Sequence, residues 1–412
     1  MKKSTLKIIL PFIFLLLIIS ACSTTKATAP TPQIILPANI IIPTQPACTS
    51  IESKPTPGPE TPSIFPAITS ADHVHGSANA PVTILDYSDY QDPRSAELAK
   101  ATKQILEENP NDVRLVSRPF PVFVVNDKSA YATLDVEAAA EQGKFWELND
   151  LLFAQQANWI NLSVDDFNQW VITQVSALGM NVDQFKTDRA RADIVAKVQQ
   201  AWDAGQKIKL PGTPIVVING DLYQGPRDYT SLNDIAHLII LGKRQFTTCP
   251  PLTIKPSSQY IATLYTEKGD VTIELFGDKA PITVNSFIFL AQHGWYDNIT
   301  FHRVIPKLFA QTGDPSGTGK GNPGYYLITE ILPSLTFNRP GMVAMVNSGP
   351  DTSGGQFFIT YAPATQFDGK YTIFGQVLTG MDILQSLTPR DAQLGANTPP
   401  GDKLINITIE EK

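Results

Sequence analysis

The sequence predicts a multidomain chain in which an α/β domain with a helical insertion precedes a mostly-β, closed antiparallel barrel. Three observations lead there. The chain has 412 residues, more than one hydrophobic core ordinarily organises. In its middle, buried-strand runs alternate with helical periodicity, as around Val82–Tyr87 and Leu98–Ile105. In its last third Val271, Ile273 and Leu275 alternate with polar residues at period two, and short strand-like runs separated by glycine-rich loops follow.

The N-terminus reads first as an address. Met1-Lys2-Lys3 is followed by an apolar stretch from Ile8 to Ile19 and then by Ser20-Ala21-Cys22, the charged, apolar and small-residue order of an export signal. A cysteine directly after Ile19-Ser20-Ala21 resembles the bacterial lipobox. That resemblance implies that residues 1–22 are a lipoprotein signal, that Cys22 is lipidated, and that the protein is held extracytoplasmically on a membrane by its lipid. An uncleaved signal anchor is the alternative, because the apolar run is nearly long enough to span a bilayer. Residues 23–67 are rich in Pro and Thr and read as an extended stalk. Its patches Ile34-Ile35-Leu36 and Ile40-Ile41-Ile42 are more apolar than a spacer requires.

A net charge of -7 without a block of basic residues argues against a nucleic-acid partner, since phosphate binding needs clustered Lys or Arg. The chain has three cysteines. With Cys22 assigned to lipid, Cys48 and Cys249 remain, and an exported chain can keep them as a disulfide bracketing the first domain. Two free thiols are the alternative.

In residues 68–247, a strand at Pro81–Tyr87 leads into a helix with Leu98, Ala101, Thr102 and Ile105 on one face. Further strands are predicted at Val113–Phe120 and Ile215–Ile218. Between them, residues 127–206 are helical in pattern. A last helix carries Leu232, Ile235, Ala236 and Ile239, with Thr230 or Ser231 as its cap. The stretches Gly76–Ile84, Phe145-Trp146-Glu147 and Gly212-Thr213-Pro214 resemble the thioredoxin-like fold of the DsbA-type thiol oxidoreductases. Where that family has its Cys-x-x-Cys, this chain has Asp92-Pro93-Arg94-Ser95. Thiol–disulfide exchange needs a thiolate and a resolving thiol, so the domain is expected to be redox-inactive. A peptide-holding groove beside Pro214 and a purely structural role both remain open. His73 and His75 lack further ligands, and no metal is expected.

After a linker at 248–257, residues 258–412 form the second domain. Tyr260–Thr266 and Val271–Phe276 flank Lys268-Gly269-Asp270 as a hairpin. Pro281 opens a helix with Val284, Phe287, Ile288 and Ala291 at helical spacing, stopped by Gly294. Phe301-His302-Arg303-Val304-Ile305-Pro306 with Gln311-Thr312-Gly313-Asp314 resembles the cyclophilin signature. Met345–Pro350, Gly355–Ile359, Phe367–Tyr371 and Phe374–Val377 follow in that family's order and spacing. The glycines at 313–324 fail the phosphate-loop spacing and read as turn glycines.

The resemblance implies a cyclophilin-like peptidyl-prolyl cis-trans isomerase with no cofactor. Its catalytic residues would be Arg303, Gln311 and Phe358. Its substrate wall would be Leu308, Phe309, Val346, Asn347, Phe367 and Tyr371. Leu308 and Phe309 stand where the family usually has Phe and Met, Gln366 where it often has Trp, and Tyr371 where it often has His. Taken singly, Arg303 reads better as a salt-bridged barrel arginine and Phe358 as a core aromatic, and it is the motifs together that favour the catalytic reading; His302, next to Arg303 on a strand, faces the other side and is structural. The implied partners are proline-containing segments of folding exported proteins. The rival expectation is a non-catalytic module that holds peptides without turnover.

Overall fold

The structure is a computed structural model and describes residues 48–51, 63–255, 257–391 and 398–412. The export signal, Cys22 and most of the proline-rich segment lie outside the described residues. Among the described residues no helix is long and apolar enough to cross a membrane.

The first elements are β1 (Cys48–Ser50), β2 (His73–Gly76), β3 (Val82–Ser88), α1 (Pro93–Glu108) and β4 (Val113–Pro119). Then come the helices α2 (Ser129–Ala140), α3 (Phe145–Ala154), α4 (Gln156–Trp159), α5 (Val164–Ala177), α6 (Val182–Arg189) and α7 (Ala192–Lys207). The domain closes with β5 (Ile215–Ile218), β6 (Asp221–Leu222) and α8 (Tyr229–Leu241). Its sheet runs β2-β4-β3-β5-β6, with β3 and β4 parallel. A parallel pair needs a crossover, and α1 supplies it, burying Leu98, Ala101, Thr102 and Ile105. Asp92 caps α1 by accepting from the Arg94 amide at 3.1 Å, and Pro93 sits where a missing N–H costs nothing. The six inserted helices enclose a core of their own around Trp159, Phe167 and Phe185. α8 begins earlier than predicted. Its cap is Asp228, whose carboxylate accepts from the Ser231 amide at 3.0 Å, so Thr230 and Ser231 lie inside the first turn.

The second domain contains β7 (Tyr260–Thr266), β8 (Gly269–Leu275), α9 (Pro281–Gln292), β9 (Ile299–Thr300), β10 (Arg303–Ile305), β11 (Phe309–Thr312) and β12 (Tyr325–Leu327). It continues with β13 (Met342–Met345), β14 (Phe357–Thr360), β15 (Ile373–Thr379), α10 (Met381–Gln385), β16 (Arg390–Asp391) and β17 (Lys403–Glu411). Ten strands form one antiparallel sheet in the order β16-β10-β11-β14-β13-β15-β8-β7-β17-β9. The predicted closed barrel is corrected here: the sheet is a curled half-barrel, open rather than closed. Its edge strands β9 and β16, of two residues each, pair only with β17 and β10 and not with one another. The groups at the seam bond elsewhere: Phe301 N–H donates to the Asp402 carbonyl at 2.9 Å, and Arg390 Nε donates to the His302 carbonyl at 3.2 Å.

β1 does not extend the first domain's sheet. It pairs antiparallel with β12, Cys48 opposite Leu327, and Cys48 is disulfide-bonded to Cys249 with the Cα atoms 6.1 Å apart. Part of the predicted stalk is therefore a strand of the second domain. Part of the predicted linker is also fixed, since Oδ1 of Asn285 on α9 accepts from the amides of Thr253 and Ile254 at 2.8 and 3.3 Å. Leu241 at the end of α8 and Ile254 are both buried within the second domain's main core.

Candidate active site

Strand register assembles the site. Asp391 opposes Arg303, Arg303 opposes Gln311, Gln311 opposes Phe358, Phe358 opposes Ala344, and Ala344 opposes Ile373. Directly opposed residues share a face of the sheet. Arg303, Gln311 and Phe358 thus stand in one row across three adjacent strands.

Each side chain in the row is held differently. Arg303 is 31 % exposed, and its Nε lies 3.3 Å from Oδ1 of Asp391. Its guanidinium carbon sits 5.3 Å from the centroid of the Phe309 ring, within cation–π range. Gln311 is buried. Its Nε2 donates to Oε1 of Gln356 at 3.0 Å, and Gln356 in turn donates from Nε2 to the carbonyls of Gly319 and Gly321 at 3.1 and 2.9 Å. Phe358 is buried against Phe337, the rings nearly parallel at 15° with centroids 5.8 Å apart.

Beside this row lies one apolar cluster. Its buried part includes Phe276, Phe309, Phe337, Met342, Ala344 and Phe358, and Leu308, Val346, Phe367 and Tyr371 are half-buried at its margin. Phe367 and Tyr371 meet Phe358 edge-on at 5.6 and 5.2 Å. The turn that swings Leu308 and Phe309 into place uses Pro306 and then Lys307 at φ 64°, closed by the Leu308 amide donating to the Ile305 carbonyl at 3.0 Å. Asn347 is on the rim with its side chain committed: Nδ2 donates to the Lys370 carbonyl at 3.0 Å and Oδ1 accepts from the Gly349 amide at 3.2 Å. Its main chain is what it can offer to a bound peptide.

All nine predicted catalytic and wall residues therefore fall on the row, in the cluster or at its rim. Three neighbours escaped the sequence reading. Gln356 lies inside a quoted motif, where its place beside Phe358 was a usable signal; Phe337 comes from a loop and Asp391 from the two-residue β16, neither of which carries one. His302 is 2 % exposed, and burial pushes its imidazole below the ordinary value, with Arg390 adding to that and Asp314 opposing it. It is neutral near pH 7.

In the first domain, the helix start that faces Pro214 is filled by oxygen ligands. Oδ2 of Asp92 accepts from Thr213 Oγ1 at 2.8 Å and from Ser95 Oγ at 3.4 Å, and the Thr213–Pro214 peptide is cis. His73 is engaged by Glu137 at 2.9 Å and stacks on Phe145.

Comparison with known proteins agrees with this geometry. The family model of cyclophilin type peptidyl-prolyl cis-trans isomerases matches residues 261–409, and a thioredoxin family model matches residues 69–236. A peptidyl-prolyl cis-trans isomerase-like 1 from Aspergillus fumigatus is 48% identical over 125 residues, which are 30% of this chain and 78% of that protein. Its counterpart from Aspergillus niger is 47% identical over 150 residues, 36% of this chain and 93% of that protein. A crystal structure of a Cryptosporidium parvum cyclophilin-type isomerase is 35% identical, covering 37% of this chain and 98% of the other at a TM-score of 0.34. The chain belongs to the cyclophilin-type peptidyl-prolyl cis-trans isomerases. It carries in addition a thioredoxin-like domain ahead of the isomerase domain.

Proposed function

We propose that the protein is a lipid-anchored, extracytoplasmic prolyl isomerase that speeds the folding of exported proteins. The observation that carries this reading is the row of Arg303, Gln311 and Phe358 beside one apolar cluster. An Xaa-Pro amide resists rotation by about 18–20 kcal/mol because the nitrogen lone pair is delocalised into the carbonyl. In the twisted state that lone pair is localised and accepts a hydrogen bond. A fixed guanidinium at the nitrogen then favours the twisted amide over the planar one. Arg303 is that donor. Gln311, its amide plane held by Gln356, aligns the substrate carbonyl, and Phe358 is the floor for the proline ring. Leu308, Phe309, Val346, Phe367 and Tyr371 wall the ring, while the Asn347 backbone grips the flanking peptide. No cofactor enters this chemistry.

Cys22 supplies the membrane anchor in this reading, and the first domain has no redox activity because Asp92 and Ser95 occupy the helix start where a dithiol would act. Isomerisation of a short Xaa-Pro peptide by the full chain tests the central claim. Rate enhancement is expected; peptide binding without enhancement would favour the holding module instead. Cys22→Ser should abolish lipid labelling and release the protein from membranes, and retention without labelling would point to an uncleaved anchor.

A further inference from the structure

We propose that the thioredoxin-like domain braces the isomerase site: its last helix, α8, with the residues after it, holds the 314–324 loop whose carbonyls orient Gln356 and, through it, Gln311. This rests on the isomerase reading above. The loop is folded around the buried Asp314, whose side chain accepts from the amides of Ser316 and Gly321 at 2.8 and 2.9 Å. From inside, the carbonyls of Gly319 and Gly321 fix the Gln356 amide, and Gln356 fixes Gln311.

From outside, the first domain grips the same loop. His237 Nδ1 lies 3.1 Å from the Ser316 carbonyl, and Asp234 pairs with Lys320 at 3.2 Å. Just beyond α8, Gln245 Nε2 donates to the Asn322 carbonyl at 3.1 Å, and the Phe246 amide donates to that of Pro323 at 2.8 Å. The Leu241 side chain also closes on Gly321: a Cβ added there would meet the loop's own Asp314 carboxylate first and come within 2.8 Å of Leu241 Cδ2 as well. Gly321 is therefore pressed from the first domain on one side and bonds Gln356 on the other. A loop held on both faces has few orientations, and small misplacements remote from the chemistry slow a reaction that depends on alignment. Asp234, His237 and Leu241 are positioning residues in this scheme.

The test uses the full chain. Leu241→Ala should lower kcat/KM about three- to tenfold, mainly through kcat, with Leu241→Met restoring most of it. Hydrogen exchange at the Gln311 and Gln356 side-chain amides should quicken in step. Ile235→Ala, on the same helix but packed within the first domain, should change neither. A folded Leu241→Ala with wild-type kcat, or the same loss in Ile235→Ala, overturns the brace. Should Leu241→Ala fail to fold, Asp234→Ala combined with His237→Ala decides: a kcat drop of about twofold or more supports it and an unchanged kcat overturns it. An inactive wild-type chain would instead remove the isomerase reading itself.

Discussion

Asp391 and Arg303 are joined by a backbone pair between β16 and β10 and by a two-point ion pair, Nε lying 3.3 Å from Oδ1 and Nη2 donating to Oδ2 at 3.4 Å. The carboxylate anchors the inner edge of Arg303 and limits where its terminal N–H groups can reach. Arg303→Ala should lower kcat/KM at least about tenfold, which is roughly 1.4 kcal/mol of transition-state stabilisation, while leaving the fold intact. Asp391→Asn should cost less, about two- to fivefold, because the donor remains but is less confined. Steady-state assays with circular dichroism on both variants check this, and a folded Arg303→Ala of unchanged rate would remove Arg303 from the mechanism.

Phe358 serves both packing and binding, so the choice of substitution matters. Truncation to Ala in this aromatic cluster would cost about 3–5 kcal/mol of stability and confound the assay. Phe358→Leu keeps most of the volume and should fold. The proline ring would lose its flat floor, and KM should rise about threefold or more with a smaller change in kcat. An unchanged KM in the folded variant would reduce Phe358 to a core residue.

Burial pushes the Asp86 carboxyl on β3 up from 3.8 to about 6, against an opposing hydrogen bond from Ser88 Oγ at 2.7 Å. The folded state keeps a proton that the unfolded chain has released, so this residue's contribution is fully present below the unfolded value. It is lost as pH rises from 3.8 to about 6 and stays lost above that. The loss is up to about 3 kcal/mol. Asp86→Asn should therefore be more stable than wild type above that window, and the difference should shrink as pH falls through it. Unfolding midpoints across the pH range check this; a constant difference would show that Asp86 does not titrate in the window.

The Cys48–Cys249 disulfide spans 201 residues. In the chain-entropy view a loop of that length stabilises by up to about 5 kcal/mol, less where the unfolded state retains structure. The paired Cys48→Ser, Cys249→Ser variant should unfold at lower denaturant, and peptide mapping without reductant should recover a 48–249 cross-link from wild type. Neither form should reduce insulin. Catalytic insulin reduction by the wild-type chain would overturn the redox-inactive reading.

Much of this fold was legible because the sequence marks it locally. Period-two alternation at Val271–Leu275 became β8, and the helical spacing from Val284 to Ala291 became α9. The site was legible through its motifs, which carry Arg303, Gln311 and Phe358 on the strands that meet. What failed to show was non-local. Sheet closure depends on whether two short edges reach one another, and nothing near Ile299 or Arg390 encodes that. Asp391 reaches Arg303 from a two-residue strand 88 residues away, and Phe337 reaches Phe358 from a loop, each without periodicity or turn signal. Cys48–Ser50 sits in a proline-rich composition whose average hid a strand. The α8 cap was missed by two or three residues because Asp228, Thr230 and Ser231 are all competent caps and only the backbone path selects among them.

The pairing of β1 with β12 also sets an order of events during folding. Cys48–Ser50 leaves the ribosome long before Tyr325–Leu327 exists, and the whole thioredoxin-like domain is made in between. Contacts this distant in sequence form late and slowly, because the loop between them must be closed first. Cys249 precedes β12 in the chain, so once both cysteines reach an oxidising compartment Cys48 can be joined to it while β1 still lacks its strand partner. That bond would then deliver β1 to the place where β12 will arrive, turning a search through the full intervening chain into a local one. The N-terminal segment is thus among the first parts of the folded protein to be made and among the last to be seated.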